Sequence, residues 1–222
     1  MQSSLRPTWI IGLAARNDPE NIRLRAILRF SVLYLIAFIA GTLLCSHTRL
    51  GSSATLRSLA ESALDNPFAS CEHARDFIRT VLNDARMESV MLALIASSGL
   101  TYISRSVANA VLAAHAGLFG SLSYTFLQDI LSGATFEHGG NFAFFLYFFA
   151  RLASAGILLS TATEAVIFSY AYRDASHNSG DRLSAQFALQ CISYAGMLLI
   201  VHAAYAFLLA FLEKALYFMY SL

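Results

Sequence analysis

Residues 183–212 contain no Asp, Glu, Lys or Arg. Nothing else in the chain constrains its fold as strongly. At 1.5 Å of rise per helical residue, such a run is long enough to cross a hydrocarbon core of ~30 Å. Further uncharged runs lie at 30–46, 89–104, 106–128 and 142–172, the last interrupted by Arg151 and Glu164. Five spans are predicted. Lipid offers the backbone no hydrogen-bond partners, so a spanning chain is either helical or a closed barrel. Three Pro and 12 Gly are few for a barrel with many turns. The predicted fold class is all-α: a polytopic helical membrane protein forming one integral membrane domain over 1–222.

Composition narrows the function classes. The chain is 57% apolar and 13% charged, with a mean hydropathy of +0.56. Soluble domains average about 45–50% apolar and about 25% charged. A soluble enzyme domain and a disordered tail are both excluded. Fifteen basic against 14 acidic residues give +1, with no basic stripe, so no nucleic-acid partner is expected. The implied partners are membrane lipids.

Charge placement gives an orientation. The tail over 1–29 carries Arg6, Arg16, Arg23, Arg25 and Arg29 against Asp18 and Glu20, a net +3. The segment 47–88 holds five Arg against six acidic residues, a net −1. The tail is therefore expected in the cytoplasm, with Arg105, Arg173 and Arg182 on the same side. After five spans the C-terminus lies outside. Trp9, Ile10, Ile11 and Leu13 ahead of Pro19 fit either a short interfacial helix or a loose tail. The first apolar run is too long for the h-region of a secretory signal peptide.

The extracytoplasmic segment 47–88 reads as a helical hairpin. Leu56, Leu59, Ala60, Ala63 and Leu64 recur at three and four residues. Asn66-Pro67 is a helix start signal, and Phe77, Val81 and Ala85 recur at four. Two readings stand side by side. The hairpin either caps the bundle or docks an outside partner through Phe77, Val81 and Arg75. The cluster 176–180 marks a short inner turn.

Arg151 and Glu164 are the intramembrane charges. Such groups cost ~2.5–3.5 kcal/mol at the centre of an inserted helix, so they face the bundle and find partners. Thirteen residues apart, they cannot meet along one straight helix. Gly156, Ser160 and Glu164 share a face at spacing four, where a neighbouring helix could approach. Glu164 then either ties to Arg173 or another span, or lines a polar path. Ala113, Gly117 and Ser121 form a second small-residue face, read as packing. His115 and His202 have no ligand partner at i+3 or i+4, and no metal or cofactor is expected. No phosphate loop, dinucleotide fingerprint or nucleophile elbow occurs, so an enzyme is not expected. Three Cys are too few for a disulfide scaffold; Cys45 and Cys71 fall on one predicted side, which permits one bridge.

The order of features resembles the stage II sporulation protein M family of membrane proteins. The likeness covers most of the chain: a basic tail, a first span, a helical outer segment, then two nearly abutting spans over 88–122. Asn109, the pair His138-Gly139, and Phe-Ser-Tyr-Ala-Tyr-Arg at 168–173 stand where the family carries related motifs. Ala110, Glu137 and Phe142 depart from its Gly, Pro and Glu. The resemblance implies a non-enzymatic scaffold that anchors peptidoglycan-remodelling partners during engulfment in sporulation. The residues themselves leave a second reading, a small transporter or channel component using Glu164 and Arg151.

Overall fold

The computed structural model describes residues 19–47, 74–131, 140–174 and 177–220. The tail with Trp9, the hairpin arm with Asn66-Pro67, Cys71 and the His138-Gly139 pair lie outside these residues. Every described element is a helix: α1 Pro19–His47, α2 Ala74–Asp84, α3 Arg86–Ser98, α4 Ser104–Leu131, α5 Gly140–Asp174 and α6 His177–Tyr220. Pro19 opens α1 at the first helical position, where its missing N–H costs nothing.

Among the described residues four helices are long and apolar enough to cross a membrane: Asn21–His47, Ser104–Gln128, Phe144–Tyr172 and Leu183–Leu212. Three of them, Asn21–His47, Phe144–Tyr172 and Leu183–Leu212, carry large apolar side chains outward along their length, among them Val32, Leu35, Ile36, Phe149, Ile192 and Ile200. An apolar exterior of this extent suits lipid rather than water. The protein is thus a helical membrane protein with four candidate spans, one fewer than the uncharged runs predict.

The exception is the predicted span 89–104. No single helix covers it. The helix α3 has 13 residues and ends at Ser98. Its last turn tightens, with the N–H groups of Gly99, Leu100 and Thr101 donating to carbonyls three residues back at 3.0, 3.3 and 2.8 Å. The helix α4 then begins at Ser104. Gly99 lies close to α6: a Cβ there would stand 2.9 Å from the tip of the Phe187 ring, which would have to shift.

Contacts between helices give the path of the chain. Helices α1 and α4 run parallel, since Tyr34 meets His115, Phe38 meets Phe119, and Thr42 reaches the Gly120 carbonyl. Helix α5 runs against α4, with Phe119–Phe148 and Phe126–Phe144 ring centroids at 5.2 and 5.4 Å. It also runs against α6, with Phe168 stacked on Phe187 at 4.3 Å and Tyr147 near Tyr205 at 6.4 Å. Two parallel neighbours need a return segment, and α2 with α3 supplies it. Val81 packs beside Phe126 and Tyr205 at one end of the bundle, and Gly99 reaches Phe187 at the other. Helical bonding continues through the junction, Ala85 N–H to Val81 O and Ser89 N–H to Ala85 O, both 2.9 Å. Among the described residues, α2 and α3 together therefore run along the bundle beside the four candidate spans, antiparallel to α1 and α4.

Two apolar layers fill the interior. One contains Phe30, Leu92, Ala108, Leu158 and Leu198. The other contains Val81, Phe119, Phe126, Tyr147 and Leu209. Phe77 and Val81 belong to the second layer, facing the bundle. Of the three residues read as a docking surface, Val81 is buried, Phe77 is half-buried and Arg75 faces outward.

Candidate functional site

Between the two apolar layers lies an ionisable one, and α1, α2–α3, α4, α5 and α6 each contribute to it. The helix α2–α3 turns Phe77, Val81, Asp84 and Glu88 to the same side, at successive spacings of four, three and four. The first two meet apolar side chains and the last two do not. Glu88 is 2% exposed although it is a carboxylate.

Arg151 of α5 meets both acids. Its Nη2 donates to Asp84 Oδ1 at 3.2 Å, and its Nη1 is ion-paired with Glu88 Oε1. One turn back on α5, the Tyr147 ring lies under the guanidinium, 5.0 Å from its carbon. Asp84 divides its oxygens: Oδ2 lies 2.6 Å from Nδ1 of His202, from α6. A carboxylate only accepts hydrogen bonds, so this contact places a proton on Nδ1. From α4, His115 presents Nε2 3.9 Å from Glu88 Oε1, and its Nδ1 lies 2.7 Å from the hydroxyl of Tyr34 on α1.

Within this layer, two buried atoms have no hydrogen-bond partner among the described residues: Glu88 Oε2 and His202 Nε2. They face each other at 3.9 Å. With both histidines neutral, two carboxylates oppose one guanidinium and the layer carries one excess negative charge. Burying charge without compensation is expensive, so the layer is held by its internal pairings. Among the described residues no three His, Cys, Asp or Glu side chains are grouped to hold a metal ion.

The residues singled out in the sequence fall in several places. Arg151 is in the layer. Glu164 is elsewhere, ion-paired with Arg23 of α1, so its tie is to another span. Gly156 is exposed, and a Cβ there would meet nothing within 4 Å. Among the described residues no helix approaches this face at Gly156. Ser160 donates to the Gly156 carbonyl of its own helix at 2.9 Å. Ala113 is half-buried. The close backbone approach involves Gly117 together with Gly41 and Gly120: a Cβ on Gly41 would collide with the Gly117 carbonyl, and one on Gly120 with the Phe38 carbonyl. Cys45 is a buried free thiol.

Sequence reasoning missed Asp84, Glu88 and Tyr34, and treated His115 and His202 as isolated. A signal existed. Asp84 and Glu88 continue the apolar face begun by Phe77 and Val81, and carboxylates on the apolar face of an amphipathic helix need partners. Compared with protein-family models, curated proteins and solved structures, the chain gave no match.

Proposed function

We propose that the protein is a five-pass membrane transport component whose ionisable layer is the site at which a cation is handled. The observation that carries this reading is Glu88, fully enclosed at mid-bundle and surrounded by Arg151, His115 and His202. Ionisable side chains at membrane depth are costly and mark ion paths, proton relays and counter-ion sites. In the same reading the arginine-rich start lies in the cytoplasm of a cell membrane and the C-terminus lies outside.

Purified protein in liposomes provides the test, under an imposed membrane potential with interior dyes for H⁺, Na⁺ and K⁺. Flux of one of these above that of protein-free vesicles is expected. Rates no higher than those of protein-free vesicles for all three overturn the reading. They would leave the scaffold implied by the sporulation-family resemblance, whose signature is co-isolation of peptidoglycan-remodelling proteins from native membranes.

A further inference from the structure

We infer that the gap between Glu88 Oε2 and His202 Nε2 is a single-proton site, and that the cation handled by the layer is H⁺. The inference rests on the transport reading only for its second half. The first half stands on geometry.

His202 holds its Nδ1 proton against Asp84 at 2.6 Å. A neutral imidazole with that tautomer has a lone pair at Nε2. Opposite it, at 3.9 Å, stands an oxygen of an ionised carboxylate. Two acceptors then confront each other in a place closed to water, 1% and 2% exposed for the two residues. Neither has another partner. One proton resolves the conflict. On Nε2 it makes the imidazolium a donor to Glu88; on Oε2 it makes Glu88 a donor to the imidazole. Either way one N–H or O–H bond forms, and the charge of the layer goes from −1 to zero. A closure of about 1 Å brings the two atoms to ordinary hydrogen-bond distance.

The groups around the gap do not supply this proton themselves. Arg151 stays protonated and is committed to Asp84 and Glu88. The Tyr147 ring lies against that guanidinium, and the Tyr205 ring of α6 stands 6.4 Å from it. Tyr34 is engaged with His115, and His115 faces the other oxygen of Glu88. Asp84 is the more accessible acid, its side chain 24% exposed against 2% for Glu88. His202 therefore stands between a carboxylate that reaches the surface of the bundle and one that does not. That is the placement of a group through which a proton enters and leaves.

The test has two arms on the full chain in detergent and in liposomes. In the first, nitrogen NMR of ¹⁵N-histidine-labelled protein reads the state of His202, assigned by the signal lost in His202→Gln, and infrared difference spectra read the Glu88 carboxyl. One proton shared by this pair at pH 7, on either member, is expected. In Glu88→Gln the amide donates to Nε2, and His202 should become neutral. A neutral His202 beside an ionised Glu88 across pH 5–9 in the unaltered protein overturns the site. In the second arm, proton flux should fall at least tenfold in both Glu88→Gln and His202→Gln. Flux unchanged in either overturns the assignment of the site while the transport reading stands. A pair that holds its proton in a protein that moves none overturns the transport reading and the second half of the inference, while the site stands.

Discussion

Glu164 on α5 is ion-paired with Arg23 on α1, a residue 141 positions earlier in the chain. The pair joins α1 and α5 near the end of the bundle where the chain enters α1. Its environment is wetter than that of the central layer: the Arg23 side chain is 54% exposed. A partner that remains hydrated loses little when the pair is broken. Glu164→Gln is expected to lower stability by no more than about 1 kcal/mol in a detergent thermal-unfolding assay. A larger loss would mean that Glu164 has further buried partners.

The glycines separate into three grades. Gly41 and Gly120 each lie against a backbone carbonyl of the facing helix, which cannot move aside as a side chain can. An added Cβ on Gly117 would be 3.9 Å from its nearest such neighbour, ordinary contact, and one on Gly156 would meet nothing within 4 Å. Gly41→Ala and Gly120→Ala should each cost about 1–3 kcal/mol through overpacking. Gly117→Ala and Gly156→Ala should stay within about 0.5 kcal/mol of each other. Thermal unfolding of the four variants side by side checks the order. Equal melting for all four would refute the close approach of α1 and α4.

The four long helices were legible because their apolar runs carry few charges, which is the same property that lets a helix sit in lipid. The α2–α3 segment was not. Its run of charges, Arg75 to Glu88, exceeds what an isolated span tolerates, so counting placed those residues outside. The compensation comes from Arg151 and His202, 63 and 118 residues away from their acidic partners. A count along one segment cannot register partners supplied by another. The face shared by Gly156, Ser160 and Glu164 held only in part: small residues permit approach without requiring it, and here the face is open at Gly156 while α1 meets it at Glu164 through Arg23.

The position of α2–α3 gives a labelling prediction. Tyr102 is 84% exposed in the turn between α3 and α4. If α2–α3 crosses the bilayer, Tyr102→Cys lies on the cytoplasmic side, as does Ser179→Cys, and Ser53→Cys lies opposite. Impermeant thiol reagents on right-side-out and inverted vesicles, in a background lacking native Cys, read this directly. Labelling of Tyr102→Cys and Ser53→Cys from one side would make α2–α3 a re-entrant segment.

Phe77 and Val81 separate packing from docking. Val81 is 7% exposed, and Phe77 packs against the same apolar layer. Val81→Asp buries a charge with no partner and should abolish recovery of folded, monodisperse protein. Arg75→Glu, on the exposed face, should leave recovery unchanged. Size-exclusion profiles in detergent distinguish the two. Normal recovery of Val81→Asp would restore the outward-facing docking surface.

Arg151 makes the strongest stability prediction, because it is the counter-charge for two acids. Removing it leaves Asp84 and Glu88 with no other arginine or lysine paired to them among the described residues. Breaking a buried pair by deleting one partner typically costs about 3–5 kcal/mol. Arg151→Gln should therefore be severely destabilised. The double variant Arg151→Gln with Glu88→Gln removes one charge of each sign and should recover part of the loss, with a coupling of about 0.5–3 kcal/mol. Adding Glu164→Gln to Arg151→Gln instead should recover nothing, since Glu164 belongs to the separate pair with Arg23. A thermal-shift cycle over these variants checks the partition. Rescue by Glu164→Gln equal to that by Glu88→Gln would show that repulsion across the whole bundle, rather than the pairing of Arg151 with its two acids, governs stability.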